Sequence, residues 1–341
     1  GQLVVGSVSD AVGRRRPLVV SLALYAAVAL GIAAAASVEL LIVLRLGQGV
    51  LGSAGMVIAM AVVRDTYGGV QLGRTISRLM LVVGVAPVLA PALGSQLLLV
   101  ASWRLLFVAL AAVALLLLVL VLVGLEESLP PERRRTGGTG SALRTYARLL
   151  RDPVVLGLVL VVGFVMAGQF AYVTTSTFVF QESYGVSPQL YGLLFGLGAL
   201  AVTAGTQVTG VLLGRRVRGT RILGGALLVA AVGSATMVVV AQTVGTGPGG
   251  LIWLMAALLP TITAVGVAFP AVPTLVLARQ ERDAGAAASL VGAVQFGMAA
   301  LGAPLSGLLG NSATSMAGVM LALFTVAGAL VLVVARREPS L

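Results

Sequence analysis

The sequence predicts an all-α membrane protein, and three observations carry that expectation. The chain is 59% hydrophobic and only 10% charged, where soluble domains carry roughly a quarter of their residues as charges. Apolar runs long enough to cross a bilayer, which takes about 20 residues, recur along the whole chain; 105–125 and 222–241 are nearly free of charge. That recurrence excludes a secretory signal peptide as their origin. Finally, the arginines fall almost entirely in alternate connections.

Taken in order, apolar runs between charged turns place spans near 17–36, 39–63, 75–101, 103–124, 153–180, 188–213, 222–242, 249–277, 285–309 and 315–335. A short apolar stub at 1–9 precedes them and runs into GRRRP (13–17). Of 22 arginines, 20 fall in one set of connections, at 14–16, 64, 74, 78, 133–135, 144, 148, 151, 215, 216, 218, 221, 279, 282, 336 and 337. The other set holds Arg104 alone, and Arg45 lies inside a span. By the positive-inside rule, the arginine-rich set is expected to be cytoplasmic.

The net charge of +11 is therefore a topology signal. No basic patch with interleaved aromatics points to nucleic acid. With no His and no Cys, the chain has no imidazole relay, thiolate metal site or disulfide framework. No enzyme chemistry, metal or cofactor is expected.

The stretch 126–152 (EESLPPERRRTGGTGSALRTYARLLRD) breaks the rhythm, being long, charged and Pro/Gly-containing as a linker should be. Three segments are expected: an N-terminal half over 1–125, the linker 126–152, and a C-terminal half over 153–341. The halves resemble each other. GVAPVLAPALG (84–94) and GMAALGAPLSG (297–307) agree at both end glycines, at two alanines, and at Pro91 with Pro304. Glycine- and proline-interrupted helices at matching positions of two halves mark repeat-built transporters. Pro87, Pro91, Gly94 and Pro304 are thus candidate hinges, because proline removes a backbone donor and bends a helix.

In the first charged turn, Gly6 and Gly13 are expected to allow close approach and a tight reversal. Asp10, at a helix end, suits the N-terminus of a neighbouring helix. Arg14 and Arg15 are candidate partners for acids such as Asp65, which follows Arg64. The matching turn GRRVRGTR (214–221) lacks the acid, which argues against a second latch there.

Arg45 is the sharpest single residue. A charge inside a span costs at least about 2.5–3.5 kcal/mol and is a functional hypothesis by default. Gln48 lies one turn away on the same face. No Asp or Glu is expected in the interior of a span. In the second half, Gln169, Tyr172 and Ser176 share a helical face, with Phe170, Phe178 and Phe180 adding aromatic surface. Thr203 and Gln207 mark a polar stripe on the next span, and Gln295 lies in the kinked one. An apolar, aromatic cavity with few polar groups suits lipophilic small molecules.

The motifs resemble one family. G-x-x-x-D-x-x-G-R-R-R (Gly6 to Arg16) is similar to the loop between the second and third helices of the major facilitator superfamily, and RLGQGVLGSAG (45–55) to its fourth-helix signature. APVLAPALG is similar to the fifth-helix antiporter signature in the form of the Bcr/CflA drug-resistance subfamily. VVRD, SWR, EESLPPE and AGAAASLVGAVQFGMAALGAPL resemble that subfamily as well.

The resemblance implies the major facilitator fold, two six-helix halves, with eleven helices at least partly present and the first helix and part of the second lying before residue 1. It implies a monomeric multi-pass protein of the bacterial inner membrane. Its partners would be a small-molecule substrate, protons and the lipid bilayer, and its work proton-coupled drug efflux by alternating access. Two alternatives are export of an endogenous metabolite and a degenerate non-transporting fragment. The resemblance further implies that the Asp10–Arg14 turn latches one face closed, and that Arg45 faces a protonatable carboxylate on the first helix. The subfamily's asparagines in its eighth and tenth helices are replaced in this region by Gly198 and Ala271.

Overall fold

The computed structural model describes residues 1–100, 102–134, 139–280 and 284–338, and among them twelve α-helices and no strand. They divide into two compact units, Gly1–Ser141 and Ala142–Leu341. Nine of the helices are long and apolar enough, over the described residues, to cross a membrane.

The first unit holds α1 (Gln2–Val12), α2 (Arg15–Ala33), α3 (Val38–Thr66), α4 (Gly69–Val100) and α5 (Trp103–Gly124). Helix α2 packs against both α3 and α5, while α1 lies on α3. Ser37 begins α3 by accepting the N–H of Leu40 at 3.2 Å, a side-chain cap for one of the donors a helix start leaves unpaired. Helix α4 runs unbroken through Pro87 and Pro91, and no side-chain geometry is described for either.

The second unit begins with α6 (Thr139–Arg151), followed by α7 (Pro153–Phe178), α8 (Pro188–Gly214), α9 (Gly219–Thr243), α10 (Pro248–Arg279), α11 (Ala284–Leu308) and α12 (Ala313–Arg337). Its starts follow the capping rules. Asp152 accepts from the N–H groups of Val154 and Val155 ahead of Pro153, and Ser187 accepts from Leu190 ahead of Pro188. Ser312 and Ser315 form a reciprocal capping box. Proline at the first helical position costs no donor that would otherwise be paired.

Helix α7 is the axis of this unit. It packs against α10, α11 and α12, and 72% of its apolar window is buried, against 11% for α5. Helix α11 runs on through Pro304, and a Cβ on its Gly302 would collide with the backbone of Ala167 on α7. Where α8 crosses α10 the chains also meet backbone to backbone. A Cβ on Gly205 would overlap the carbonyl oxygen of Thr263, and one on Gly266 that of Val202. Beside this crossing the buried Thr209 hydroxyl donates to the Val267 carbonyl at 2.7 Å.

The middle segment is not without structure. A 3-10 turn at Pro131–Arg133 and the whole of α6 fall inside 126–152; residues 135–138 lie outside the described part. The helix forms because Ala142, Leu143, Tyr146, Leu149 and Leu150 recur every three to four residues. Leu149 is fully buried and Tyr146 packs against the same core. Prolines, glycines and charges upstream masked that period.

Candidate functional site

The turn between α1 and α2 is built around Arg14. Gly13 sits at φ 102°, in the left-handed region that side chains resist, and a Cβ there would strike the Glu127 carboxylate. The reversal delivers the Arg14 guanidinium to two acids. Its Nε donates to Asp65 Oδ2 at 2.8 Å, and its Nη1 to Asp10 Oδ1 at 2.5 Å and to Ser9 Oγ at 2.8 Å. Burial would lower the Arg14 pKa, but the bonds to Asp65 and Asp10 outweigh it and hold the pKa above its ordinary value.

Asp10 was expected to serve a helix N-terminus; Glu127 does so instead. Its carboxylate accepts the backbone N–H of Arg14 at 2.7 Å and of Arg15 at 3.2 Å, the residue that caps α2 and the first residue inside it. Asp10 stands one helical turn before Arg14 and is captured by the guanidinium. Burial would raise the Glu127 pKa, but the N–H donors of Arg14, Leu129 and Arg15, with the charge of Arg134, bring it below its ordinary value. Arg15 does not reach Asp65; its Nη2 donates to the Leu122 carbonyl at 2.7 Å. Arg64 is exposed. A Cβ on Gly6 would meet only ordinary contact with Val57, and one on Gly94 would lie 4.0 Å from Leu106, so neither position is sterically reserved for glycine.

Within α3, Arg45 donates from Nη1 to Gln48 Oε1 at 2.8 Å, and its guanidinium carbon lies 5.7 Å from the centre of the Phe107 ring on α5. Gln48 is 4% exposed, and its Nε2 has no hydrogen-bond partner among the described residues. A buried unpaired donor costs about 1–3 kcal/mol. No acid pairs with Arg45 in the described first unit. Glu39, the first residue of the expected 39–63 span, does lie in the first turn of α3, so that span carries an acid at its edge.

In the second unit, Tyr172 on α7 stacks on Phe195 of α8 with ring centres 5.7 Å apart. Tyr191 leans on Phe195 and on Phe180, and its hydroxyl meets Ser176 Oγ at 3.0 Å and Thr177 Oγ1 at 2.9 Å. Gly198 makes room for this wall, since a Cβ there would lie 2.9 Å from the Tyr172 hydroxyl. Thr175 on α7 is hydrogen-bonded to the buried Ser306 on α11. The Gln169 Oε1, one turn before Tyr172, is buried without a partner among the described residues. Through Tyr191 and Phe195 the structure brings Tyr172, Ser176 and Phe180 together; Gln169 lies one turn away on the same helix. Phe178 and Gln207 are exposed, Phe170 and Gln295 are half-buried, and Thr203 turns its hydroxyl to the Ala199 carbonyl. Ala271 is buried. Tyr191 and Phe195 were not singled out from sequence, although Y-x-x-x-F on a helix is a one-turn aromatic pair.

A second charged knot was also missed. Arg279, in the last turn of α10, donates from Nε to Asp152 Oδ2 at 2.8 Å and from Nη1 to Glu338 Oε2 at 2.5 Å. Burial would raise the Asp152 pKa, but Arg279 and the N–H groups of Val154 and Val155 set it below its ordinary value. The turn at 214–221, by contrast, carries arginines as its only charged residues; its geometry is a helix-stop motif in which Arg216 takes the left-handed position at φ 59°. There the Val217 N–H reaches Leu212 O and the Arg216 N–H reaches Leu213 O.

A family model described as the Major Facilitator Superfamily matches residues 1–303. The uncharacterized MFS-type transporter YdgK of Bacillus subtilis (strain 168) is 35% identical over 322 residues, covering 94% of this chain and 79% of that protein. A bicyclomycin resistance protein homolog of Haemophilus influenzae is 28% identical over 334 residues, with 94% and 79% coverage. Among solved structures, a bacterial homolog of the human lysosomal transporter Spinster, inward-facing and unoccupied, superposes with a TM-score of 0.72 at 16% identity, covering 98% of this chain and 85% of that one. On the family model and the YdgK match, this chain is a multi-pass membrane transporter and belongs to the Major Facilitator Superfamily.

Proposed function

We propose that this protein is a Bcr/CflA-type efflux transporter of a bacterial inner membrane, a monomer exporting lipophilic small molecules in exchange for protons. Helices α1–α5 belong to its N-terminal half and α7–α12 to its C-terminal half, with 126–152 joining them on the cytoplasmic side. The observation that carries the reading is the aromatic wall of Tyr172, Phe180, Tyr191 and Phe195, with the unpaired buried oxygen of Gln169 one helical turn before Tyr172 on α7. Tyr172 and Phe180 are buried behind the half-buried rings of Tyr191 and Phe195, whose apolar edge suits varied ring-bearing compounds and discriminates weakly among them. The resistance protein homolog of Haemophilus influenzae, similar over 94% of this chain, supports a drug as the cargo.

On the proton side, Arg45 is a fixed cation one hydrogen bond from a buried amide with a donor to spare. A cation there favours the ionised form of any carboxylate that approaches it and lowers its pKa. Alternating access would break and remake the Arg14–Asp65 contact, with the proline-bearing α4 and α11 bending near Pro87, Pro91 and Pro304.

Drug accumulation and pH-driven efflux in cells expressing the protein test the reading. Tyr172→Ala and Gln169→Ala are expected to restore drug accumulation at unchanged expression. Arg45→Ala is expected to move the pH optimum of efflux upward, because losing the cation raises the acid's pKa. Arg45→Lys keeps the charge without the planar fork and should retain part of the activity. Unaltered, pH-normal efflux from a well-expressed Arg45→Ala protein removes Arg45 from proton coupling. Orientation is read separately by labelling this cysteine-free chain at Arg218→Cys and Thr246→Cys. Labelling of both from one side of the membrane overturns the topology.

A further inference from the structure

Helices α8 and α9 are consecutive and antiparallel, yet they scarcely touch; both pack on α10. The gap they leave is a groove of about 610 Å³. Its walls are Val208 and Leu212 of α8, Ile222, Gly225 and Val229 of α9, and Leu259 and Val267 of α10 among others. Apart from Thr263 and Arg221 the lining residues are apolar or glycine. The one lining hydroxyl, Thr263, is spent on the Leu259 carbonyl at 2.8 Å. Val208 and Val229 remain 43% and 46% exposed.

One end of the groove is different, because Arg221 lines it. Arg215, Arg216 and Arg218 stand beside it in the α8–α9 turn. None of these four arginines makes an ion pair among the described residues. Nor could a local one form, since no Asp or Glu occurs anywhere from Pro188 to Arg279, the whole of α8, α9 and α10. From Arg221 to Val229 the groove runs eight residues along α9, about 12 Å at 1.5 Å per residue. That is just short of half of the roughly 30 Å hydrocarbon core. A slot of one leaflet's depth, greasy along its length and cationic at its mouth, has the shape and charge of a single amphiphile.

We propose that the α8–α9–α10 groove is a binding site for an anionic glycerophospholipid, its acyl chain lying along Gly225 and Val229 and its phosphate held by Arg221 with the neighbouring arginines. The lipid fills the space that the two helices leave between them. Basic clusters between transmembrane helices recognise anionic head groups in this way.

The structure supplies its own plug. A Cβ at Gly225 would meet nothing within 4 Å, and the same holds at Gly224, which does not line the groove. Gly225→Leu therefore fills the slot without crowding the helix, and Gly224→Leu adds the same side chain elsewhere. The test is native mass spectrometry of the full chain in mild detergent, titrated with phosphatidylglycerol, with phosphatidylcholine of the same chains, or with glycerol phosphate. The wild-type protein is expected to hold one phosphatidylglycerol more tightly than phosphatidylcholine and to hold no glycerol phosphate. Arg221→Gln should weaken the phosphatidylglycerol adduct about fivefold, from roughly 1 kcal/mol per arginine near an anionic surface. Gly225→Leu should weaken it at least about tenfold, and Gly224→Leu should leave it unchanged. Equal retention of both lipids overturns the proposal, as does equal behaviour of the two leucine variants. A wild-type dimer that Gly225→Leu converts to monomer would make the groove a self-association face, and the lipid assignment would fail.

Discussion

Each unit ties helix ends together with one arginine forked between two carboxylates, but the two knots are made differently. In the first unit Arg14 is nearly buried, its side chain 8% exposed, between Asp10 four residues before it and Asp65 at the end of α3. In the second, Arg279 is 30% exposed and joins the α7 cap Asp152 to Glu338 just beyond α12. The first knot fixes a turn, and the second clamps three helix ends. Ion pairs gain in consequence as water is excluded, and so does the damage from removing one partner. The same fork should therefore matter more at Arg14 than at Arg279.

The largest expected effect tests that directly. Arg14→Gln leaves Asp10 and Asp65 facing each other and should cost about 3–5 kcal/mol, read as the loss of thermal unfolding temperature in detergent. A cost equal to that of Arg279→Gln would erase the distinction. Next, Asp152→Ala removes both an ion pair and a cap, together about 1–2 kcal/mol. Asp152→Asn keeps the cap and should cost less than about 1 kcal/mol. If the two variants melt alike, the clamp carries the stability and the cap does not. Smaller still, Arg216→Gly relieves a left-handed side chain and should stabilise the second unit by about 1 kcal/mol.

Acid titration gives the mildest contrast. Glu127 and Asp152 both have pKa values below their ordinary 4.5 and 3.8. Their stabilisation is thus complete above those ordinary values and is lost as pH falls through the lowered ones. Glu127→Gln should flatten the acid limb of the stability curve below about pH 4.5, and Asp152→Asn should do so only below about pH 3.8.

The contrast also explains what could be read in advance. Helices α2, α3, α5 and α7–α12 stand within a few residues of where apolar periodicity puts spans, and the starts of α3, α7, α8 and α12 carry Ser or Asp where a cap belongs. The Arg14 turn was visible because Asp10, Gly13 and Arg14 are neighbours in sequence. Glu127 was not, being 113 residues from Arg14; nor was the Arg279 clamp, whose partners lie 127 and 59 residues away with no local motif. The aromatic wall was half legible. Tyr172 and Ser176 share a helical face, but only the approach of α8 at Gly198 shows that Tyr191 and Phe195 complete it. Gln207 illustrates the converse, a polar side chain in a span that the fold leaves exposed.

The crossing of α8 and α10 has one more consequence. With Gly205 and Gly266 each pressed against the other helix's carbonyl oxygens, the two rods share a bearing with no clearance, so neither can slide or roll alone. Any rocking of this unit must carry them as one lever, with its give at the ends. Sequence drift has no room there either: the smallest step away from glycine, a single methyl group, already jams the joint.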